Sequence, residues 1–207
     1  LVNKIVIIDY GLGNPLSIKN MLKKAGFGKV LISKDSAEIA SADKLILPGV
    51  GHFAKGMENL HAQGLVSLLN ELVLEKKIPI LGICLGMQLM TQFSEEGACN
   101  GLGWLEAQTI KFNFEDKNMK IPHMGWNDTC FLKKPFTEIA FEEKPPRFYY
   151  VHSYYVHCEN DENILCTAEY GTTFASGFVK ENIMGVQFHP EKSHVFGKEL
   201  LKAFASL

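Results

Sequence analysis

The sequence predicts an α/β protein with an open, doubly wound, mostly parallel sheet and a β-rich antiparallel extension in its second half. Three observations carry this. Short branched-apolar runs at Lys4 to Ile8, Lys44 to Leu47 and Ile78 to Ile83 read as strands buried on both faces, each closing on a polar or glycine-rich turn. The segments between them repeat apolar residues at helical spacing. After about residue 103 the texture changes to alternating and aromatic runs.

Taken in order, the strand Lys4 to Ile8 is followed by Ile18, Met21, Leu22 and Ala25, one apolar helical stripe. A second stripe, Leu65, Leu68, Leu69 and Leu72, separates the strand Lys44 to Leu47 from the strand Ile78 to Ile83. Parallel strands need such crossover helices. In the second half Phe148 to Cys158, Ile164 to Tyr170 and Phe174 to Val179 read as antiparallel strands and hairpins. The chain closes with Ser193 as an N-cap before Phe196, Leu200, Ala203 and Leu207 on one helical face. With no internal repeat, low-complexity tract or linker, residues 1–207 are expected to form a single domain, long enough to bury a core without disulfides or metal.

Hydrophobic content of 46% and charged content of 21% are those of a soluble globular protein, and a net charge of -2 supplies no field to hold nucleic acid. The five cysteines are odd in number and contain no CxxC pair, which points to a reducing, cytoplasmic setting. The longest apolar stretch, Ile78 to Met90, is interrupted by Gln88 and by turn-forming residues, so no membrane span is expected. The start, Leu1-Val2-Asn3-Lys4, has no secretory pattern.

The chemistry-bearing feature is Ile80-Leu81-Gly82-Ile83-Cys84-Leu85-Gly86-Met87-Gln88, a strand running into a helix with glycines two residues before and after a cysteine. Glycines relieve crowding at such a turn, so the side chain between them is held over the carboxyl edge of the sheet. A free thiol with a pKa of ~8.5 is only a few per cent thiolate at neutral pH, and a helix N-terminus supplies ~0.3–1 kcal/mol of the ~2 kcal/mol needed to lower it by ~1.5 units. An imidazole must therefore pair with the sulfur. Read alone, Cys84 is as well explained as a small buried hydrophobe.

Gly185-Val186-Gln187-Phe188-His189-Pro190-Glu191 offers that imidazole on a strand-like approach to a turn. Pro190 restrains the backbone on both sides, bringing Glu191 close enough to hold the His189 tautomer that presents the other ring nitrogen to sulfur. The alternative is a capping pair before the last helix. Pro48-Gly49-Val50-Gly51 ends a strand at the same sheet edge, so Gly49, Val50 and Gly51, with the Leu85 amide, are the candidate oxyanion donors. A plain βα turn explains Gly49 equally well. Two other motifs fail: Gly11-Leu12-Gly13-Asn14-Pro15-Leu16 lacks the third glycine of a dinucleotide fingerprint, and His152, His157 and Cys158 cannot share a zinc on one strand face.

In order, Pro48 to Gly51, Gly82 to Gln88 and His189-Pro190-Glu191 resemble the class I (triad) glutamine amidotransferases. Asp9 to Asn14, Pro122-His123-Met124-Gly125-Trp126-Asn127 and Val151-His152-Ser153-Tyr154-Tyr155 are similar, within that family, to the glutaminase subunits of imidazole glycerol phosphate synthases. The likeness covers essentially the whole chain. It implies the flavodoxin-like amidotransferase fold, with Cys84 as nucleophile, His189 as general base and acid and Glu191 as its orienter, splitting glutamine into glutamate and ammonia. Gln88, Glu96, Ser153 and Tyr154 would hold glutamine; read without the resemblance, Gln88 and Glu96 are solvated faces of the helix after Cys84, and Ser153 and Tyr154 are strand residues. It also implies no cofactor, no metal and a heterodimer with a (β/α)8-barrel cyclase that receives the ammonia, contacted through Asn14, Met124, Trp126 and Tyr150.

Two positions depart from the family pattern: Pro15, where a branched apolar residue is usual, and His194, where glutamine is common. They leave open a paralogue that feeds ammonia to an enzyme amidating a surface-polysaccharide sugar. From another class, a different thiol hydrolase or an inactive binding subunit would keep the elbow without using it, a reading that Gln88 and the paired His189 and Glu191 argue against.

Overall fold

The computed structural model describes residues 4–134, 136–141 and 145–207. The first half runs β1 (Ile5–Ile8), α1 (Pro15–Lys24), β2 (Val30–Ser33), α2 (Ser36–Ala40), β3 (Lys44–Leu47), α3 (Phe53–Ala62), α4 (Leu65–Asn70), β4 (Ile80–Ile83) and α5 (Leu85–Gln88). There follow β5 (Thr91–Ser94), β6 (Cys99–Asn100), β7 (Leu105–Lys111), β8 (His123–Asp128), β9 (Cys130–Phe131), β10 (Arg147–His152) and β11 (Tyr154–Cys158). The chain closes with β12 (Ile164–Glu169), β13 (Thr173–Lys180), β14 (Ile183–Val186) and α6 (His194–Ser206). No helix among the described residues is long and apolar enough to cross a membrane.

Strands β2-β1-β3-β4-β14 lie side by side and all run parallel, the doubly wound half that the apolar runs predict. Because side chains alternate across a strand, β1 sends Ile5 and Ile7 to one face and Val6 and Ile8 to the other. The first face packs Ile46, Leu81 and Ile83 with Ile18 and Leu22 of α1 and with Leu200, Leu201 and Phe204 of α6. The second packs Leu45, Leu47 and Ile80 against Leu60 of α3 and Leu65 and Leu69 of α4. All four residues of β1 are fully buried, as a strand covered by helices on both sides must be.

The extension continues the same sheet through β13, β11, β7, β5 and β6, with antiparallel pairing except between β5 and β7, which are parallel. Strands β8 and β10 form a separate two-stranded antiparallel sheet. The aromatic run Phe148 to Cys158 is therefore not one strand: it breaks at Ser153, where the chain leaves the small sheet for the large one. Leu72 lies beyond α4, in a turn wound as a π-helix (Glu71–Glu75). Ser193 precedes α6 but does not cap it with its side chain; the hydroxyl donates to the His189 carbonyl at 2.6 Å and accepts the Tyr149 amide at 2.9 Å. Leu207 lies past the helix end and is exposed.

Register positions the site. Leu47 of β3 pairs with Gly82 of β4, which pairs with Gly185 of β14. Three parallel strands thus end level, and the segments after them, beginning at Pro48, Cys84 and Gln187, emerge side by side at the carboxyl edge.

Candidate active site

Cys84 sits on the elbow with φ 53° and ψ −111°, a backbone state that costs a non-glycine residue about 1–3 kcal/mol and persists only where the surroundings enforce it. The enforcement is visible. The Cys84 amide donates to Val186 O at 2.8 Å, tying the elbow to β14. A Cβ on Gly82 would lie 2.7 Å from Gly86 O, and one on Gly86 would lie 1.8 Å from Leu47 O, so only glycines permit the turn. The helix that follows is a single turn, Leu85–Gln88, so its dipole gives the sulfur little. Being that short, it also does not carry Glu96, which lies beyond β5.

His189 reaches the same cleft from the end of β14. Its backbone is clamped on both sides, the amide donating to Tyr149 O at 2.9 Å and the carbonyl accepting the Ser193 hydroxyl. The ring Nδ1 is 2.8 Å from Glu191 Oε1, and the two side chains are almost wholly buried. The buried Nε2 makes no hydrogen bond, leaving it as the ring nitrogen available to the Cys84 sulfur. Burial pulls the His189 pKa down, but the Cys84 sulfur and the Glu191 carboxylate outweigh it and raise the imidazole well above its ordinary value.

A cleft of about 300 Å³ joins these groups. It is lined by Val50, Gly51, Cys84, Leu85, Gln88, Glu96, Ser153, Tyr154 and His189, nine of the residues singled out from the sequence, together with Pro122, Val151 and His152. Gly49 lies behind this wall, where a Cβ would come within 2.7 Å of Gly86 N and of the Tyr10 hydroxyl. Tyr10, given no role from sequence, is fully buried and donates to Pro48 O at 2.7 Å, pinning the loop that holds Val50. Leu85 opens a helix, so its amide has no partner within that helix.

The remaining candidates are placed as follows. Gln88 is buried and its Nε2 donates to Tyr154 O and to Gln187 Oε1, each at 3.0 Å. Glu96 lines the cleft and accepts the Phe53 amide at 2.8 Å through Oε2. Partial burial and the carboxylates of Glu96 and Glu95 raise the Tyr154 phenol. Asn14 is exposed and caps α1, its side chain accepting the Ser17 amide at 3.3 Å. Pro15 then occupies N1, where a missing N–H costs nothing. Met124 and Trp126 are 61% and 40% exposed on the outward face of β8.

Tyr150 corrects an expectation. It is fully buried, with its hydroxyl 2.6 Å from Thr129 Oγ1, and has no surface for a partner. The alternation of β10 is the reason: Phe148, Tyr150 and His152 point inward, and the half-buried outward neighbour is Tyr149, whose ring meets Trp126 edge-on at 6.4 Å. His194, the other departure, stacks flat on Trp126 at 5.5 Å.

Residues 6–206 match the family model for the glutamine amidotransferase class-I domain, and the chain belongs to that family. An imidazole glycerol phosphate synthase subunit HisH 2 from Methanococcus maripaludis is 54% identical over 97% of this chain and 98% of its own length. Its namesake from Pseudomonas aeruginosa is 46% identical over 98% and 99%, and the subunit HisH of Leptospira interrogans is 43% identical over 97% and 98%. Among solved structures, PurLQS from Thermotoga maritima aligns with a TM-score of 0.68 at 18% identity, covering 100% of this chain and 97% of that one. The glutaminase domain of Trypanosoma brucei CTPS with bound acivicin aligns at 0.63 and 15% identity, covering 99% and 94%. These two share the fold.

Proposed function

We propose that the chain is the glutaminase subunit of an imidazole glycerol phosphate synthase, hydrolysing glutamine and passing ammonia to a barrel-shaped cyclase in histidine biosynthesis. The observation that carries this reading is the meeting, in one cleft, of Cys84 with an imidazole whose far nitrogen is held by Glu191. Relatives that match end to end bear the name of that synthase's subunit. Both are required, because the triad gives the chemistry and only the relatives give the pathway.

The chemistry follows from the geometry. The Cys84 sulfur attacks the glutamine carboxamide carbon, and the oxygen that becomes negative turns to the amides of Leu85 and the Val50 loop. His189 gives its proton to the departing ammonia, leaving an acyl-thioester. Water then attacks that carbon while His189 takes its proton, the carbon–sulfur bond breaks and glutamate leaves. Glu191 holds the imidazole and offsets its charge. Glu96, Ser153, Tyr154 and Gln88 would face the amino-acid end of the substrate, the carboxylate of Glu96 being the group suited to its ammonium. Ammonia is mostly protonated in water, so a protected passage to the partner keeps it nucleophilic; Asn14, Met124 and Trp126 are the surface assigned to that partner.

Two measurements test this. Cys84→Ala is expected to abolish glutamate release with unchanged folding, since it removes one sulfur at a cleft wall; continued turnover in that variant rules out the triad. Affinity capture of the full chain from its own cells, with the bound protein identified, is expected to return the cyclase. Recovery of a sugar-amidating enzyme instead would move the chain to the polysaccharide paralogue.

A further inference from the structure

The Cys84 sulfur has a second polar neighbour that the triad leaves unused. Val186 pairs with Ile83 across β14 and β4, so the next residues, Gln187 and Cys84, leave adjacent strands at the same level. Gln187 is fully buried, and its Nε2 donates to Cys84 Sγ at 3.7 Å. The far end of the network fixes the direction of that amide. The backbone carbonyl of Tyr154 can only accept, so the Gln88 atom 3.0 Å from it is Nε2. The same Nε2 gives its other hydrogen to Gln187 at 3.0 Å, so Gln187 turns Oε1 toward Gln88 and Nε2 toward the sulfur.

We propose that Gln187 is a catalytic residue of this site, a fixed donor that stabilises negative charge on the Cys84 sulfur. The catalytic meaning of that contact rests on the glutaminase reading above. Sulfur carries charge twice in the reaction: before it attacks the carboxamide, and when the carbon–sulfur bond breaks and returns its electron pair. His189 changes protonation between these moments, because it hands a proton to ammonia and takes one from water. An amide does not titrate, so its N–H faces the sulfur in both states. The single-turn helix after Cys84 leaves the sulfur dependent on such side-chain donors.

The test uses the full chain and reads the sulfur without glutamine. Alkylation of Cys84 by iodoacetamide, followed at the peptide that contains it, is expected to slow roughly ten- to hundredfold in Gln187→Met, the range of a hydrogen bond to a charged group. The kcat for glutamate release should fall by a similar factor while KM moves by less than about threefold. Gln187→Leu also removes the donor at nearly the same volume, so it carries the test if the methionine variant fails to fold, and it should slow alkylation by a similar factor. A folded variant of either kind that alkylates at the unaltered rate overturns the proposal. Slowed alkylation in a chain whose unaltered form releases no glutamate, with or without the cyclase, overturns the glutaminase reading and leaves the hold of Gln187 on the sulfur standing.

Discussion

At Gly86 one missing methyl group decides whether the elbow can exist. A Cβ there would sit 1.8 Å from the Leu47 carbonyl oxygen, a backbone atom in a central strand that no rotamer change can move. Gly86→Ala is therefore expected to cost more than about 3 kcal/mol of stability, the range reserved for strain in packed backbone. Urea unfolding checks this, and a loss below about 1 kcal/mol would show that the strand yields. Gly49 is crowded too, since a Cβ there would lie 2.7 Å from Gly86 N and from the Tyr10 hydroxyl and 2.8 Å from Leu85 Cβ, two of them atoms that no rotamer change can move. A side chain there must push the Pro48 to Gly51 segment away from the elbow, so Gly49→Ala is expected both to lower the melting temperature by several degrees and to lose glutamate release about tenfold or more. A kinetic assay beside a thermal melt separates the two.

The β8–β10 pair carries a buried histidine couple whose tautomers are set by its neighbours. His152 Nδ1 donates to Tyr154 O at 2.8 Å, His123 Nδ1 donates to His152 Nε2 at 2.9 Å, and the Asn127 amide donates to His123 Nε2 at 3.2 Å. This arrangement requires both rings to be neutral. Burial lowers His123 to about 4. Burial also lowers His152 to about 3, with the hydrogen bond to Tyr154 opposing and the nearby His123 and His189 adding to the fall. Since the unfolded chain binds these protons near pH 6.5 and the folded chain only at about 4 and about 3, the neutral pair contributes stability above pH 6.5 that is lost as pH drops through that window. Unfolding free energy should thus fall between about pH 6.5 and 4, and His123→Gln with His152→Gln should flatten that part of the fall. Urea titrations of both proteins at several pH values decide it; an unchanged slope assigns the acid loss to other groups.

On the scale of the whole molecule, the two sheets divide the work. The large sheet brings the ends of β3, β4 and β14 level and so builds the cleft, while the small sheet turns Met124, Trp126 and Tyr149 outward beside it. Truncating Met124 and Trp126 together to alanine is expected to weaken binding of the cyclase by about 2 kcal/mol or more, since exposed aromatic anchors dominate such interfaces. Tyr150→Phe should leave that affinity unchanged and cost about 1 kcal/mol of stability, because it loses only the buried contact with Thr129. Calorimetric titration of each variant with the partner separates the outward ring from the inward one.

The sequence by itself determined the parallel half of the sheet, because strands buried on both faces must be continuously apolar. It also singled out Cys84, His189 and Glu191 as candidates, because an elbow needs its flanking glycines and a proline between histidine and glutamate keeps that pair local, and the fold brings Cys84 and His189 to one cleft with Glu191 on the imidazole. Tertiary structure alone decided what depends on register and on sheet membership. Gln187 reads as one more strand residue until β14 is set level with β4, and Tyr10 reads as core until its hydroxyl is seen to reach Pro48. Tyr150 and Tyr149 are adjacent in the chain, and only the pairing of β10 with β8 settles which ring faces out. The physical reason is range: backbone geometry and periodicity act within a few residues, whereas contacts between strands distant in sequence are fixed by how the whole sheet packs.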